Sequence, residues 1–399
     1  MHIGLIAPSV IHEARSGFQL RLLQLQEILR RIAGGKLDVW DLSRGRPITV
    51  GTPVAQRLIE ARTDLRSRAH PTTVLRDMVA LALHLWPYYR VRSIPITDQR
   101  TIAAWCHRQQ FTHVVLTHPA GTELISDLAR SGRRVFVDAH NAESALAAQL
   151  ARRANSLSAW LKAQVYRRTV SRREQWDFPF AAEIWFPSHF DIELQRRVIG
   201  DGIPMRCVPN GLDLERYCPL TRRPTSAIVV PGTFEYPPNI RGAALMKTQV
   251  LPLVRQTIPD ATLVLLGRDP IGSAQALADS PTVVATGEVE DVRPYLASAG
   301  VVAVPLLEGG GTRFKILEAL AMELPVVTTP LGAEGLEVRD GEHLLIRDLS
   351  EFAPALVELL KHLKRGEGLG RKGRRVVEDR YDWLAIEATM RRAFAAIHE

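Results

Sequence analysis

Cysteine is scarce, and what there is pairs badly: Cys106, Cys207 and Cys218 are odd in number and form no CxxC. That argues against a disulfide framework and fits a reducing cytosol. Long apolar runs are lacking too. The longest, MVALALHLWPYY at 78–89, contains a histidine and a proline and is too short to span a bilayer. The opening MHIGLIAPSV has neither a basic leading region nor a small-residue cleavage site, so a first strand is expected there rather than a signal peptide. There is no low-complexity tract, no zinc-ligand spacing and no RNA-binding signature, and nucleic acid is not an expected partner. No Asp-x-Asp is placed to hold a divalent ion, so no metal site is expected.

What remains is an ordinary globular composition, 46% hydrophobic and 24% charged, over 399 residues. That length suits two domains better than one core. The formal charge of +8 favours anionic partners in general terms. It is concentrated at 151–173, where Arg152, Arg153, Lys162, Arg167, Arg168, Arg172 and Arg173 occur without an acid. Two readings fit this stretch: a solvated helix face, or a contact with membrane or a phosphorylated acceptor.

Short Val/Ile/Leu-rich runs alternate with helical stretches. HIGLIA (2–7), LDVW (37–40), THVVLT (112–117), RVFVDA (134–139), EIWFPS (183–188) and RCVPN (206–210) form one series. SAIVVPG (226–232), TLVLLG (262–267), TVVATG (282–287), VVAVPL (301–306) and PVVTT (325–329) form another. Near-continuous apolar strands separated by helices predict α/β domains with parallel, doubly wound sheets. The polar, proline-containing 211–225 separates the series, which places one domain at 1–212 and the other at 226–382. The terminal stretch 383–399 has helical apolar spacing and is expected to return to the first domain. Two such sheets facing each other leave a central cleft at the carboxyl ends of their strands, where α/β proteins bind ligands.

The segment EGGGTRFKILEAL (308–320) joins a strand to a helix. Gly309, Gly310 and Gly311 free the backbone for close approach to a ligand, and Thr312 is the expected N-cap. Arg313 and Lys315 sit at the positive end of the helix, a poor place for cations unless an anion joins them. Glu318 follows three residues after Lys315 and is suited to the diol of a ribose. A tight loop with a surface Lys315–Glu318 pair explains the same residues without a ligand.

The wider sequence VAVPLLEGGGTRFKILEALAMELPVVTTPLGAEGL (302–336) resembles the donor-site signature of retaining glycosyltransferase family 4, in a glycine-rich GGGTRxKxLEA variant. TGEVEDVRPYLASAGVVAVPL (286–306), VPNGLDLERY (208–217), VVPGTFEYPPNIRGA (229–243) and DGEHLLI (340–346) extend the likeness through the second domain. In the first domain it rests on the strand-loop-helix start with Gly17 and on VDAHNAESALAAQL (137–150). The resemblance implies a GT-B fold of two Rossmann-like domains, with a nucleotide diphosphate sugar held mainly by the second. It assigns Glu318 to the ribose, the backbone of 309–312 to the diphosphate, and Arg313 and Lys315 to its charge. Val289 would border the base, Gly232 and Thr233 the phosphate side of the cleft, and His140 the reacting sugar.

Two departures stand out. The first glutamate of the family's EX7E would fall at Gly310, and Glu308 is out of register with it. The loop after the first strand of the donor domain, GTFEYPPNIRG, carries no lysine, so Asn239 is expected to position the diphosphate. His118, at another strand end, is a second acceptor-side candidate beside Gly17. Residues 70–92 read either as a core helix or as an interfacial helix bearing Trp86, Tyr88 and Tyr89.

The expected function is therefore metal-independent, retaining sugar transfer to an acceptor hydroxyl in polysaccharide or glycoconjugate synthesis. The protein would be cytoplasmic or peripheral to the inner face of a membrane. No cofactor is expected; the acceptor would be a sugar, a lipid-linked molecule or another hydroxyl, with an anionic membrane surface as a candidate partner. Alternatives are a catalytically silent sugar-nucleotide-binding scaffold, or another GT-B enzyme such as a phosphorylase or epimerase.

Overall fold

The computed structural model describes residues 2–8, 10, 17–50, 96–118, 121–152, 156–221, 224–308 and 313–395. They divide into two compact units, one of 1–209 with 389–399 and the other of 210–388. Among the described residues no helix is long and apolar enough to cross a membrane.

In the first unit the strands are β1 (Ile3–Ala7), β2 (Leu37–Asp41), β3 (Arg46–Val50), β4 (His113–His118), β5 (Arg134–Ala139), β6 (Glu183–Phe186) and β7 (Met205–Cys207). Their order is β3-β2-β1-β4-β5-β6-β7. All neighbours run parallel except β3, which returns antiparallel along β2 with Trp40 opposite Pro47. The sequence reading missed β3. RPITV is short, mostly exposed and contains a proline, which a sheet tolerates only at an edge. The expected RCVPN strand is also shorter, ending at Cys207 ahead of Pro209. Proline has no N–H to give a ladder.

The central strands are buried on both faces, as the unbroken burial of β1 illustrates. On one face Ile6, Trp40, Ile102, Trp105 and Phe111 belong to a single core cluster. Elsewhere in this unit Phe136 meets Phe394 at 4.7 Å between ring centroids, and Phe394 meets Trp185 at 5.5 Å, both edge-on. Phe394 lies on the helix Trp383–Ala395. Such aromatic pairs add about 0.5–1.5 kcal/mol each beyond burial.

The second unit contains β8 (Ala227–Pro231), β9 (Thr262–Leu266), β10 (Val283–Gly287), β11 (Val301–Val304), β12 (Val326–Thr328) and β13 (Leu345–Ile346). The order is β10-β9-β8-β11-β12-β13, with every pair parallel. The order reverses between β8 and β11, and ligands of open α/β sheets bind outside the carboxyl ends at such a point. β11 stops ahead of Pro305 and β12 begins after Pro325, so prolines punctuate the strands on both sides of the 314–321 helix.

One buried acid in the first unit is costly. Glu174, on the helix Leu157–Asp177, is 1% exposed and accepts a hydrogen bond of 2.8 Å from Gln195 Nε2. Burial pushes its carboxyl up to about 7, against the opposing hydrogen bonds from Gln195 and Ser144. The native state then holds a proton that the unfolded chain has released, so stability falls as pH rises from about 4.5 towards 7. We predict that Glu174→Gln stabilises the protein by roughly 1–3 kcal/mol at pH 8 and much less at pH 5. Urea midpoints at the two pH values would test this; an equal difference at both would refute it.

Candidate functional site

In the second unit the chain leaving β8 passes Gly232 and Thr233 and enters the helix Pro237–Leu245, whose first positions are prolines. Proline is well suited to a helix start because its missing N–H is not needed there. This helix lies hard against the exit of β11. A Cβ on Gly242 would stand 2.8 Å from Pro305 O. The close approach brings the first turn, with Asn239, over the end of β8.

The Asn239 carboxamide ties three of the expected residues together. Its Nδ2 donates to Thr233 O at 2.9 Å, and its Oδ1 accepts from Lys315 Nζ at 2.8 Å. It rests on Gly232, where a Cβ would come within 3.0 Å of the amide. Gly267 closes the other side with φ +135°; a Cβ there would stand 2.1 Å from Gly232 O, so only glycine fits.

Lys315 and Glu318 lie on the helix Phe314–Ala321, whose Phe314, Ile316, Leu317 and Leu320 are buried. Both polar residues are half-buried on the remaining face. The helix begins at Phe314, one residue later than an N-cap at Thr312 requires. Arg313 holds the capping position without a side-chain cap, and its carbonyl accepts from Ile316 N at 2.9 Å. Gly309, Gly310, Gly311 and Thr312 lie outside the described residues, as does 70–92.

The two basic residues differ. Arg313 is buried, and its Nε and Nη2 both donate to Leu331 O, at 3.3 and 3.1 Å. Much of its guanidinium is thereby used on the backbone. Lys315 has only the neutral Asn239 oxygen as its hydrogen-bond acceptor among the described residues. Desolvation, and then Arg313, lower its pKa to about 8, while Glu318 acts in the opposite sense.

Glu318 Oε1 accepts a 2.8 Å hydrogen bond from the hydroxyl of Tyr217, a residue 101 positions earlier. Burial pushes the Glu318 carboxyl up; Tyr217 and Lys315 pull it back. The segment holding Tyr217 is pinned from two sides. Arg374 Nη1 donates to Tyr217 O at 2.6 Å and to Ala321 O at 2.5 Å, and Arg293 Nη1 donates to Arg216 O at 2.9 Å. Sequence reasoning named VPNGLDLERY but gave Tyr217 no role, because local spacing carries no signal for a partner so distant. Val289 lies in the loop leaving β10, between exposed Glu288 and Glu290. Glu308, out of register with the expected glutamate, pairs with Arg241 at 3.1 Å.

In the first unit His140 follows the last residue of β5. Its Nε2 is buried without a hydrogen-bond partner among the described residues, and it stands 3.9 Å from Asp138 Oδ2. Asp138 is engaged instead by Arg21, whose Nε and Nη2 reach its two oxygens at 3.2 and 2.5 Å while Nη1 donates to Val208 O. Phe18 covers the imidazole with ring centroids 4.5 Å apart. Gly17 heads the helix Gly17–Ile32 that carries Phe18 and Arg21, and His118 is the last residue of β4. Burial lowers His140 to about 4; the Asp138 charge opposes this and Arg21 assists it.

The basic 151–173 stretch is less uniform than its sequence. Arg173 turns inward and donates to Glu123 at 2.7 Å, whereas Arg152, Lys162, Arg167, Arg168 and Arg172 are exposed.

Residues 225–362 match the family model described as glycosyl transferases group 1. Over 209 residues the chain is 27% identical to a phosphatidyl-myo-inositol mannosyltransferase of Mycobacterium tuberculosis, covering 48% of this chain and 53% of that protein. It is 23% identical over 160 residues to an uncharacterized 44.6 kDa protein in the cps region of Klebsiella pneumoniae, covering 38% and 41%. The chain thus spans about half the length of the curated relatives it matches. Sucrose-phosphate synthase from Thermosynechococcus elongatus shares the fold across 99% of this chain and 98% of its own, with a TM-score of 0.65 and 19% identity. The Anabaena protein HepE, solved with UDP, does so across 99% and 100%, with a TM-score of 0.61 and 12% identity. The architecture is that of the GT-B glycosyltransferases. The family model over 225–362 and the curated relatives liken this chain to the group 1 glycosyltransferases.

The environment of His140 makes a prediction of its own. Its folded pKa lies below the ordinary value, so it costs no stability above about pH 6.5, and stability is lost as pH falls from there towards 4. In histidine-labelled protein the His140 imidazole signal should stay flat between pH 5.5 and 8 (about one to four units above its pKa). A midpoint near 6.5 would overturn this description.

Proposed function

We propose that the protein is a retaining, metal-independent glycosyltransferase that moves a sugar from a nucleotide diphosphate to an acceptor hydroxyl, in polysaccharide or glycoconjugate synthesis. One observation carries the reading. The Lys315 ammonium and the Glu318 carboxylate lie three residues apart on one helix, beside the β8–β11 reversal and inside the region that matches the family model.

On this reading Glu318, oriented by Tyr217, accepts hydrogen bonds from the ribose. Lys315 turns from Asn239 to a phosphate oxygen, and the 309–312 backbone with Gly232 and Thr233 encloses the diphosphate. Arg313 raises the local potential from its buried position, and Val289 borders the base. As the sugar–phosphate bond breaks, negative charge grows on the diphosphate and is stabilised by Lys315, an electrostatic contribution that needs no rearrangement. The acceptor hydroxyl approaches from the face the diphosphate leaves and passes its proton to a phosphate oxygen, so configuration is retained. His140, a neutral imidazole with a nitrogen unpartnered among the described residues, is assigned to hydroxyls of the transferred sugar, with Gly17 and His118 on the acceptor side.

HepE, solved with UDP and with UDP-glucose, makes uridine diphosphate the first nucleotide to test. The mannosyltransferase relative, by its name, makes a lipid-linked hydroxyl a reasonable acceptor beside free sugars. Exposed Leu157, Trp160 and Leu161 beside Lys162 on the helix Leu157–Asp177 would suit the cytoplasmic face of an anionic membrane.

A nucleoside diphosphate should raise the melting temperature, and Glu318→Ala should weaken its binding by roughly tenfold or more, since hydrogen bonds to charged groups contribute about 1.5–3 kcal/mol. No shift with any nucleotide on folded protein would point to the silent scaffold. Affinity should also decline as pH rises through about 8, where Lys315 loses its proton. Transfer should persist in excess EDTA; loss restored by magnesium would refute metal independence.

A further inference from the structure

The amino-terminal ends of β4 and β5 frame a cavity of about 710 Å³ that the proposed reaction does not use. His107, Gln110, Phe111, Ser131, Arg133 and Arg134 are among its lining residues. Its size falls within the roughly 300–1,000 Å³ of small-molecule sites. It lies at the opposite end of the same two strands from His118 and Ala139, the last residues of β4 and β5. A strand rises about 3.3 Å per residue, so a ligand here is separated from His140 by the length of β5.

The lining is cationic and incompletely satisfied. Arg133 Nη1 donates to Ser131 Oγ at 2.5 Å and to Ser131 O at 3.3 Å, and Nη2 approaches His107 Nδ1 at 3.4 Å. Its Nε is buried with no hydrogen-bond partner among the described residues, and so is Nη1 of the adjacent Arg134. None of the cavity's lining residues is acidic, and neither guanidinium forms an ion pair among the described residues. Leaving a buried donor unpaired costs about 1–3 kcal/mol, more when it is charged. Two neighbouring cations in that condition lower their energy together by binding one anion.

The walls are also shaped. Gln110 adopts φ +54°, rare for a residue with a side chain, and Gly132 adopts φ +81° with open space where a Cβ would lie. Phe111, held edge-on by Trp105 at 4.8 Å, adds an apolar surface.

We propose that this cavity binds a small soluble phosphorylated molecule. Arg133 and Arg134 take the phosphate oxygens through their planar forks, His107 and Ser131 flank them, and Phe111 faces the organic part. Its remoteness from His140 sets it apart from the transfer reaction.

The test is hydrogen–deuterium exchange on the full chain with inorganic pyrophosphate as the probe, because its readout is local. Protection is expected in peptides covering 105–113 and 131–136, weakening with added salt. Arg133→Gln/Arg134→Gln should reduce the apparent affinity by about tenfold or more, whereas Arg134→Lys, which keeps the charge but loses the fork, should fall between wild type and the double variant. Absence of protection in wild type, or protection confined to 313–321, overturns the proposal. Protection by vesicles of anionic phospholipid but not by pyrophosphate also overturns it, by assigning the cavity to a lipid headgroup. Equal protection in the double variant would show that the two arginines are not the ligands.

Discussion

A lysine held by an amide, with no carboxylate in direct contact among the described residues, sets the character of the second unit. Lys315 Nζ rests on Asn239 Oδ1, and Asn239 in turn donates to Thr233 O and lies on Gly232. An amide oxygen orients an ammonium without cancelling its charge. Desolvation and the neighbouring Arg313 make that charge more costly to keep, so an arriving anion gains more from meeting it. Much else in the unit serves to keep this arrangement in place. Gly242 lets the Asn239 helix close on Pro305, and Gly267 admits the carbonyl of Gly232. Arg374 ties the Tyr217 segment to the end of the Lys315 helix.

The first unit treats its charges in the opposite way. Asp138 is saturated by Arg21, so its field does little to hold a proton on His140 against burial. Removing one partner of such a buried pair typically costs about 3–5 kcal/mol. The arginine also bonds Val208 O, which links the helix Gly17–Ile32, β5 and the chain just past β7 through one side chain. The imidazole beside it stays neutral and keeps a buried nitrogen without a partner among the described residues. A neutral ring can donate or accept with a hydroxyl, which suits sugar recognition better than an imidazolium would.

Both sheets use their two ends differently. In the second, the β8–β11 reversal collects Gly232, Thr233 and Asn239 from one crossover and Lys315 and Glu318 from another. In the first, the carboxyl ends of β4 and β5 lead to His118 and His140, while their amino ends surround guanidinium nitrogens unpaired among the described residues. Parallel strands make this separation natural, because all their carboxyl ends emerge on one side.

The strand alternation and the α/β class were legible in the sequence because buried parallel strands leave continuous apolar runs, whatever they pack against. Lys315 and Glu318 could be singled out for a similar reason: their placement beside a glycine run is a local pattern. β3 left no such trace, since an edge strand with a proline needs little hydrophobicity. Thr312 as N-cap was a reasonable local inference, yet the helix starts after Arg313, whose side chain is drawn to Leu331 O. Tyr217 on Glu318, Arg21 on Asp138 and the approach of Arg133 to His107 beside a cavity were decided by tertiary structure alone. Sequence fixes which groups a chain carries and their order along an element. Which charges find a partner, and which are left for a ligand, depends on contacts between segments far apart, and those exist only once the sheets are assembled.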